Sequence, residues 1–106
     1  MKNFIQSGTV VPLVAPADVS SGDGVLVGSL FGIAATDATA GAPVECKLEG
    51  VFELPKAAED VSQGAELFWD DAAKNLTTTA SGNTLVAKAI TAAGTGVSTV
   101  RARLNG

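Results

Sequence analysis

The 106-residue chain has no histidine and no tyrosine, and only one cysteine, one tryptophan and one methionine. Without histidine there is no Ser-His-Asp triad and no imidazole metal site. A single cysteine, Cys46, makes neither an internal disulfide nor a thiolate zinc site, and it reads as a small buried hydrophobe. No Gly-Lys pair occurs, so there is no phosphate-binding P-loop. The only arginines are Arg101 and Arg103, and the net charge is −4. A nucleic-acid binder carries a basic footprint, and two arginines in an acidic chain do not make one. No apolar run approaches a membrane span, and the first residues reach Ser7-Gly8 before any signal-like apolar stretch develops. The expectation is a soluble protein made in a reducing cytoplasm, with no cofactor, no metal, no catalysis, no nucleic-acid partner and no membrane partner.

What the chain does have is alternation. From Val44 to Leu54 the even positions are Val44, Cys46, Leu48, Gly50, Phe52 and Leu54, while the odd ones carry Glu45, Lys47, Glu49, Val51 and Glu53. Successive side chains of a strand point to opposite faces, so this run predicts one long strand with an apolar and a charged side. Gly50 is where it can bend and serve two sheets, and Pro55, lacking a donor, ends it. A phenylalanine fully buried at position 52 would cost about 3–5 kcal/mol to truncate to alanine. Val51 is the one apolar residue on the charged side, which marks it as a candidate contact with another chain.

Around this run the sequence is a series of short apolar segments separated by glycine turns, the pattern of an all-β sandwich or small barrel of antiparallel strands. Residues 1–8 read as an arm carrying Phe4 and Ile5, too short to form a core and so candidate contacts with another chain; residues 9–106 read as a single β domain. Pro12 places Thr9 to Val14 at a sheet edge. Lys56 to Val61 is the one segment that reads as a helix, of one or two turns, with Lys56 solvated at its start. Glu66 to Trp69 and Leu76 to Thr79 read as a hairpin, followed by strands over Thr84 to Ala93 and Val97 to Leu104. Mean hydropathy is +0.32, high for a small chain with so few large side chains, and it suggests surface buried against other subunits.

One phrase recurs. Asp18-Val19-Ser20-Ser21-Gly22 returns as Asp60-Val61-Ser62-Gln63-Gly64, each time ahead of a short apolar strand. Ala40-Gly41-Ala42-Pro43-Val44 and Ala93-Gly94-Thr95-Gly96-Val97 are weaker echoes. The glycine is expected at positive φ, and the valine can plug the end of a barrel. This is most simply a reused strand-entry turn, with a duplication as the alternative, and no ligand site. Asp70-Asp71 reads as a turn pair, because aspartate bonds its own backbone there. Trp69 reads as core or subunit contact.

Several stretches in order resemble one family. They are Ala15 to Asp23 with Val25-Leu26-Val27-Gly28, Gly32-Ile33-Ala34, Leu48-Glu49-Gly50-Val51-Phe52-Glu53-Leu54-Pro55-Lys56, Gly64 to Asp70, and Val100 to Leu104. Together they resemble the small phage capsid-cement, or head-decoration, proteins, a family long labelled a predicted RecA/RadA-family phage recombinase. Ala65 departs from the pattern, which leads one to expect an acid after the turn glycine. The resemblance implies a structural virion protein on the capsid surface, partnered by the major capsid protein and by copies of itself, often as a homotrimer. The alternatives are a phage DNA recombination accessory protein, as the older label has it, and a host- or carbohydrate-binding β module. A strand-exchange ATPase needs a phosphate loop and a basic DNA-binding surface, and the sequence supplies neither.

Overall fold

In the computed structural model, residues 10–105 are described, and they form nine β-strands and no helix. The chain divides into two compact units, Met1–Leu48 and Glu49–Gly106. In the first, β1 (Val10–Val14), β2 (Gly24–Val27), β3 (Leu30–Ala34) and β4 (Pro43–Lys47) form an antiparallel sheet ordered β1-β4-β3-β2. In the second, β5 (Val51–Pro55), β6 (Glu66–Asp70), β7 (Asn75–Thr77), β8 (Thr84–Ala89) and β9 (Thr99–Leu104) are ordered β5-β9-β8-β6-β7. The all-β antiparallel reading holds, and Pro12 does lie on an edge strand, where its missing N–H leaves no ladder bond unmade.

The run from Val44 to Leu54 is two strands rather than one. β4 belongs to the first sheet and β5 to the second, and between them Gly50 takes φ +124°, a conformation other residues resist. Parity survives the break. Val44, Cys46 and Leu54 are buried, Leu48 and Phe52 are half-buried, and Glu45, Lys47, Glu49, Val51 and Glu53 are exposed. Phe52 is therefore not the fully buried anchor that alternation suggests, and its truncation falls short of the full-burial cost. In the first unit the core gathers Leu13, Ala15, Val25, Ala34, Val44 and Cys46. In the second, Leu54, Leu67, Trp69, Leu76, Val86, Val100, Ala102 and Leu104 are buried.

Without β7, the second sheet reads β5-β9-β8-β6: first strand, last, third, second, the same order as β1-β4-β3-β2. The recurring phrase occupies the same place in both. Val19 bridges Ala38 through a reciprocal pair of backbone bonds (2.8 and 3.0 Å), and Val61 bridges Ala93 likewise (2.8 and 2.9 Å). Gly22, at φ +95°, donates to the Ala34 carbonyl; Gly64, at φ +84°, donates to that of Ala89. Asp18 Oδ1 accepts from the Ala40 amide at 2.9 Å, and Asp60 Oδ1 from the Thr95 amide at 2.8 Å. The weaker echoes are thus the partner turns of the phrase, but in a register where Ala38 matches Ala93 and Ala40 matches Thr95. One four-stranded plan is used twice, and the second use carries an added hairpin strand. Asp23 Oδ2 accepts from the Ser20 amide in the first turn. Ala65 has no such acceptor, and its turn closes through backbone alone, Ala65 N to Ser62 O at 3.1 Å.

The helix expected over Lys56 to Val61 does not form. Ala57 N pairs with Leu76 O and Val61 N with Ala93 O, both at 2.8 Å and both outside the segment, while Glu59 N bonds Ala57 O in a tight non-helical turn. Lys56 is not solvated either: it continues the inward parity of Phe52 and Leu54, bridges Leu76 in parallel, and is only 6% exposed. A buried ammonium must find acceptors. Lys56 Nζ donates to the carbonyls of Ala57 (3.0 Å) and Glu59 (2.7 Å), which the curled, non-helical segment turns toward it.

Candidate interaction surface

Among the described residues no group of three or more His, Cys, Asp or Glu side chains is placed to hold a metal ion. Nor, among the described residues, is any helix long and apolar enough to cross a membrane. The acidic pair after Trp69 serves its own loop, as the turn reading expects. Asp70 Oδ1 accepts from the amides of Ala72 and Ala73, both at 3.1 Å, while Asp71 Oδ1 accepts from Trp69 Nε1 at 3.1 Å and Lys74 Nζ at 2.7 Å. Lys74 takes φ +58° to close that loop.

The carboxylates that the fold uses most are Glu59 and Asp60. Glu59 Oε1 accepts from the Thr78 amide, from Thr77 Oγ1 at 2.8 Å and from Thr78 Oγ1 at 3.1 Å. The Thr78 amide, then the two threonine hydroxyls and the Lys56 charge, hold its carboxyl below the ordinary glutamate value. The Thr95 hydroxyl (2.7 Å) and amide lower Asp60, and the Lys74 ammonium followed by the Trp69 indole lowers Asp71. These groups pin loops to strands. A carboxyl whose pKa is lower folded than unfolded adds stability above the unfolded value, and that stability is lost as pH falls through the folded one. Melting temperature should therefore hold down to about pH 5 and fall steeply below about pH 4, with Glu59→Gln flattening the slope. Thermal melts of both proteins from pH 7 to pH 3 check this, and identical slopes would show that Glu59 contributes nothing to it.

Burial pushes the Cys46 thiol up, aided by neighbouring Glu45, and the side chain is fully buried. It is an inert core residue, as expected from its parity.

One exposed face that combines an apolar residue with the arginines is the outer side of β5 and β9. Val51, 53% exposed, stands opposite Arg103, and Glu53 stands opposite Arg101. Both arginines are exposed, as alternation along β9 dictates, while Val100, Ala102 and Leu104 turn inward. On its other side Arg103 is opposite Lys88 of β8. Of the three residues singled out as contacts, Val51 lies on this exposed face, and Phe4 and Ile5 lie outside the described residues. Sequence reasoning set the two arginines aside as too few. The missing signal was pairing: the β5–β9 register places Val51 and the arginines side by side, although they are fifty residues apart in sequence.

In comparison with known families, residues 5–104 match the model of a family described as phage cement protein. No curated protein and no solved structure matches the chain.

Proposed function

The chain belongs to the phage cement protein family, and from that premise we propose that it is a decoration subunit that binds an assembled phage head and stabilises it without catalysis. The family match over nearly the whole chain is the observation that carries this reading. The sequence agrees with it, since it has no histidine for a catalytic triad, no phosphate-binding P-loop and a high apolar content. The partners are the major capsid protein and further copies of this chain, most simply a homotrimer on local three-fold positions of the head. Phe4, Ile5 and Val51 are the proposed contact residues. The site of action is the virion surface, after synthesis in the host cytoplasm. Specific interfaces bury about 1,200–2,000 Å² in total, and repeated modest contacts on a lattice add through multivalency.

Quantitative mass spectrometry of purified virions should find this chain in copy numbers comparable with the major capsid protein. Heads lacking it should burst at lower temperature or milder osmotic shock. Light scattering at micromolar concentration should give about three times the chain mass if the trimer forms before docking. Virions that contain none of the protein would refute the decoration role.

A further inference from the structure

We infer that the outer face of β5 and β9, centred on Arg101, Arg103 and Val51, docks onto a carboxylate-bearing surface of the capsid protein; the inference rests on the decoration role proposed above. The two arginines alternate with Ala102, so both project from the same side of β9, about 7 Å apart along the strand. They are all the arginine the chain has. Among the described residues neither guanidinium has a hydrogen bond or an ion pair. The carboxylate opposite Arg101 is turned aside: Glu53 Oε1 accepts from Thr99 Oγ1 at 3.2 Å. Opposite Arg103 there is no carboxylate but the exposed aliphatic Val51. Ile90, whose amide bonds the Arg101 carbonyl, adds a second exposed aliphatic at the same rows.

Two unpaired guanidinium forks beside exposed aliphatic side chains resemble an interface centre, where arginine is enriched, although Lys88 and Glu53 share their rows. Each fork presents paired donors that match a carboxylate bidentately. A polyanion such as DNA is the poorer fit, because a chain of net charge −4 would be repelled outside these two residues. A partner protein surface that carries carboxylates satisfies the forks, and its apolar atoms can cover Val51 and Ile90 beside them.

The test is cosedimentation of the purified protein with heads that lack it, over a range of salt concentrations. Arg101→Gln/Arg103→Gln should bind at least tenfold more weakly than wild type, and the wild-type salt dependence should be largely lost in it. Because both side chains are exposed, the double variant should melt at the wild-type temperature; Val51→Ser, with the charges intact, should weaken binding while keeping its salt dependence. Wild-type affinity and salt response in the double variant would overturn this docking face while leaving the decoration role standing. Wild-type protein that fails to bind the heads at all would overturn both. A gel shift with duplex DNA that disappears in the double variant would reassign the face to nucleic acid and likewise overturn the inference.

Discussion

Trp69→Ala is expected to cost about 3–5 kcal/mol of folding stability, the range for emptying a fully buried large aromatic site. Trp69 is 2% exposed and sits in β6 between Leu76 of β7 and Thr84 of β8. Leu76 is itself fully buried, so the indole fills the core beside the added hairpin strand. Truncation leaves a cavity that the two paired neighbours cannot close without breaking register. It also strips Asp71 of its indole donor, though Lys74 still holds that carboxylate. Against a typical total of about 5–15 kcal/mol, such a loss is a large fraction. Because the chain's only fluorophore of this kind is removed, urea unfolding should be followed by far-UV circular dichroism. A loss under about 1 kcal/mol would mean that the indole is not the core residue its burial indicates.

Gly32→Val is the second large effect, and its sign opposes strand propensity. Valine is among the best strand residues and glycine among the poorest, so propensity alone predicts stabilisation. Gly32 lies mid-strand in β3, opposite Val25. A Cβ there would stand 2.7 Å from Leu48 Cδ2, 2.9 Å from Cys46 Cβ and 2.9 Å from the Lys47 carbonyl oxygen. The leucine tip can swing away; the carbonyl and the Cys46 Cβ are fixed by β4. Gly32→Ala should therefore destabilise by about 1–3 kcal/mol through overpacking, and Gly32→Val by more. Gly96→Ala is the control, since a Cβ there meets nothing within 4 Å and φ is not positive. It should be neutral or stabilise slightly, by up to about 1 kcal/mol. Urea unfolding followed by far-UV circular dichroism gives the readout for all three variants. Equal stability of Gly32→Val and wild type would show that β3 and β4 separate without cost at this point.

Much of this protein follows from local order in the chain. Alternation set which side of β4, β5 and β9 turns inward, because side-chain direction in a strand depends only on the residue's own parity. Gly50 marked the bend because few other residues accept its backbone angle. The Asp-Val-Ser-x-Gly phrase marked two equivalent turns because an aspartate, a valine that bridges the partner turn and a positive-φ glycine recur at that spacing.

The rest depended on which segments meet. Lys56 to Val61 suits a helix locally, whereas the carbonyl of Ala93, 32 residues beyond Val61, takes the Val61 amide that a helix would have bonded to Ala57. The shared four-strand plan was invisible as sequence because the inserted β7 shifts the second half: the first turns are 42 residues apart and their partners 55, as Asp18 to Asp60 and Ala40 to Thr95 show. Gly32 reads as a weak strand residue until β4 is packed against it. Arg101 and Arg103 were two charges on one strand until the register put Val51 opposite one and turned the carboxylate opposite the other toward Thr99. Parity is a property of each residue and its neighbours, but register and close approach arise only when distant strands are brought together.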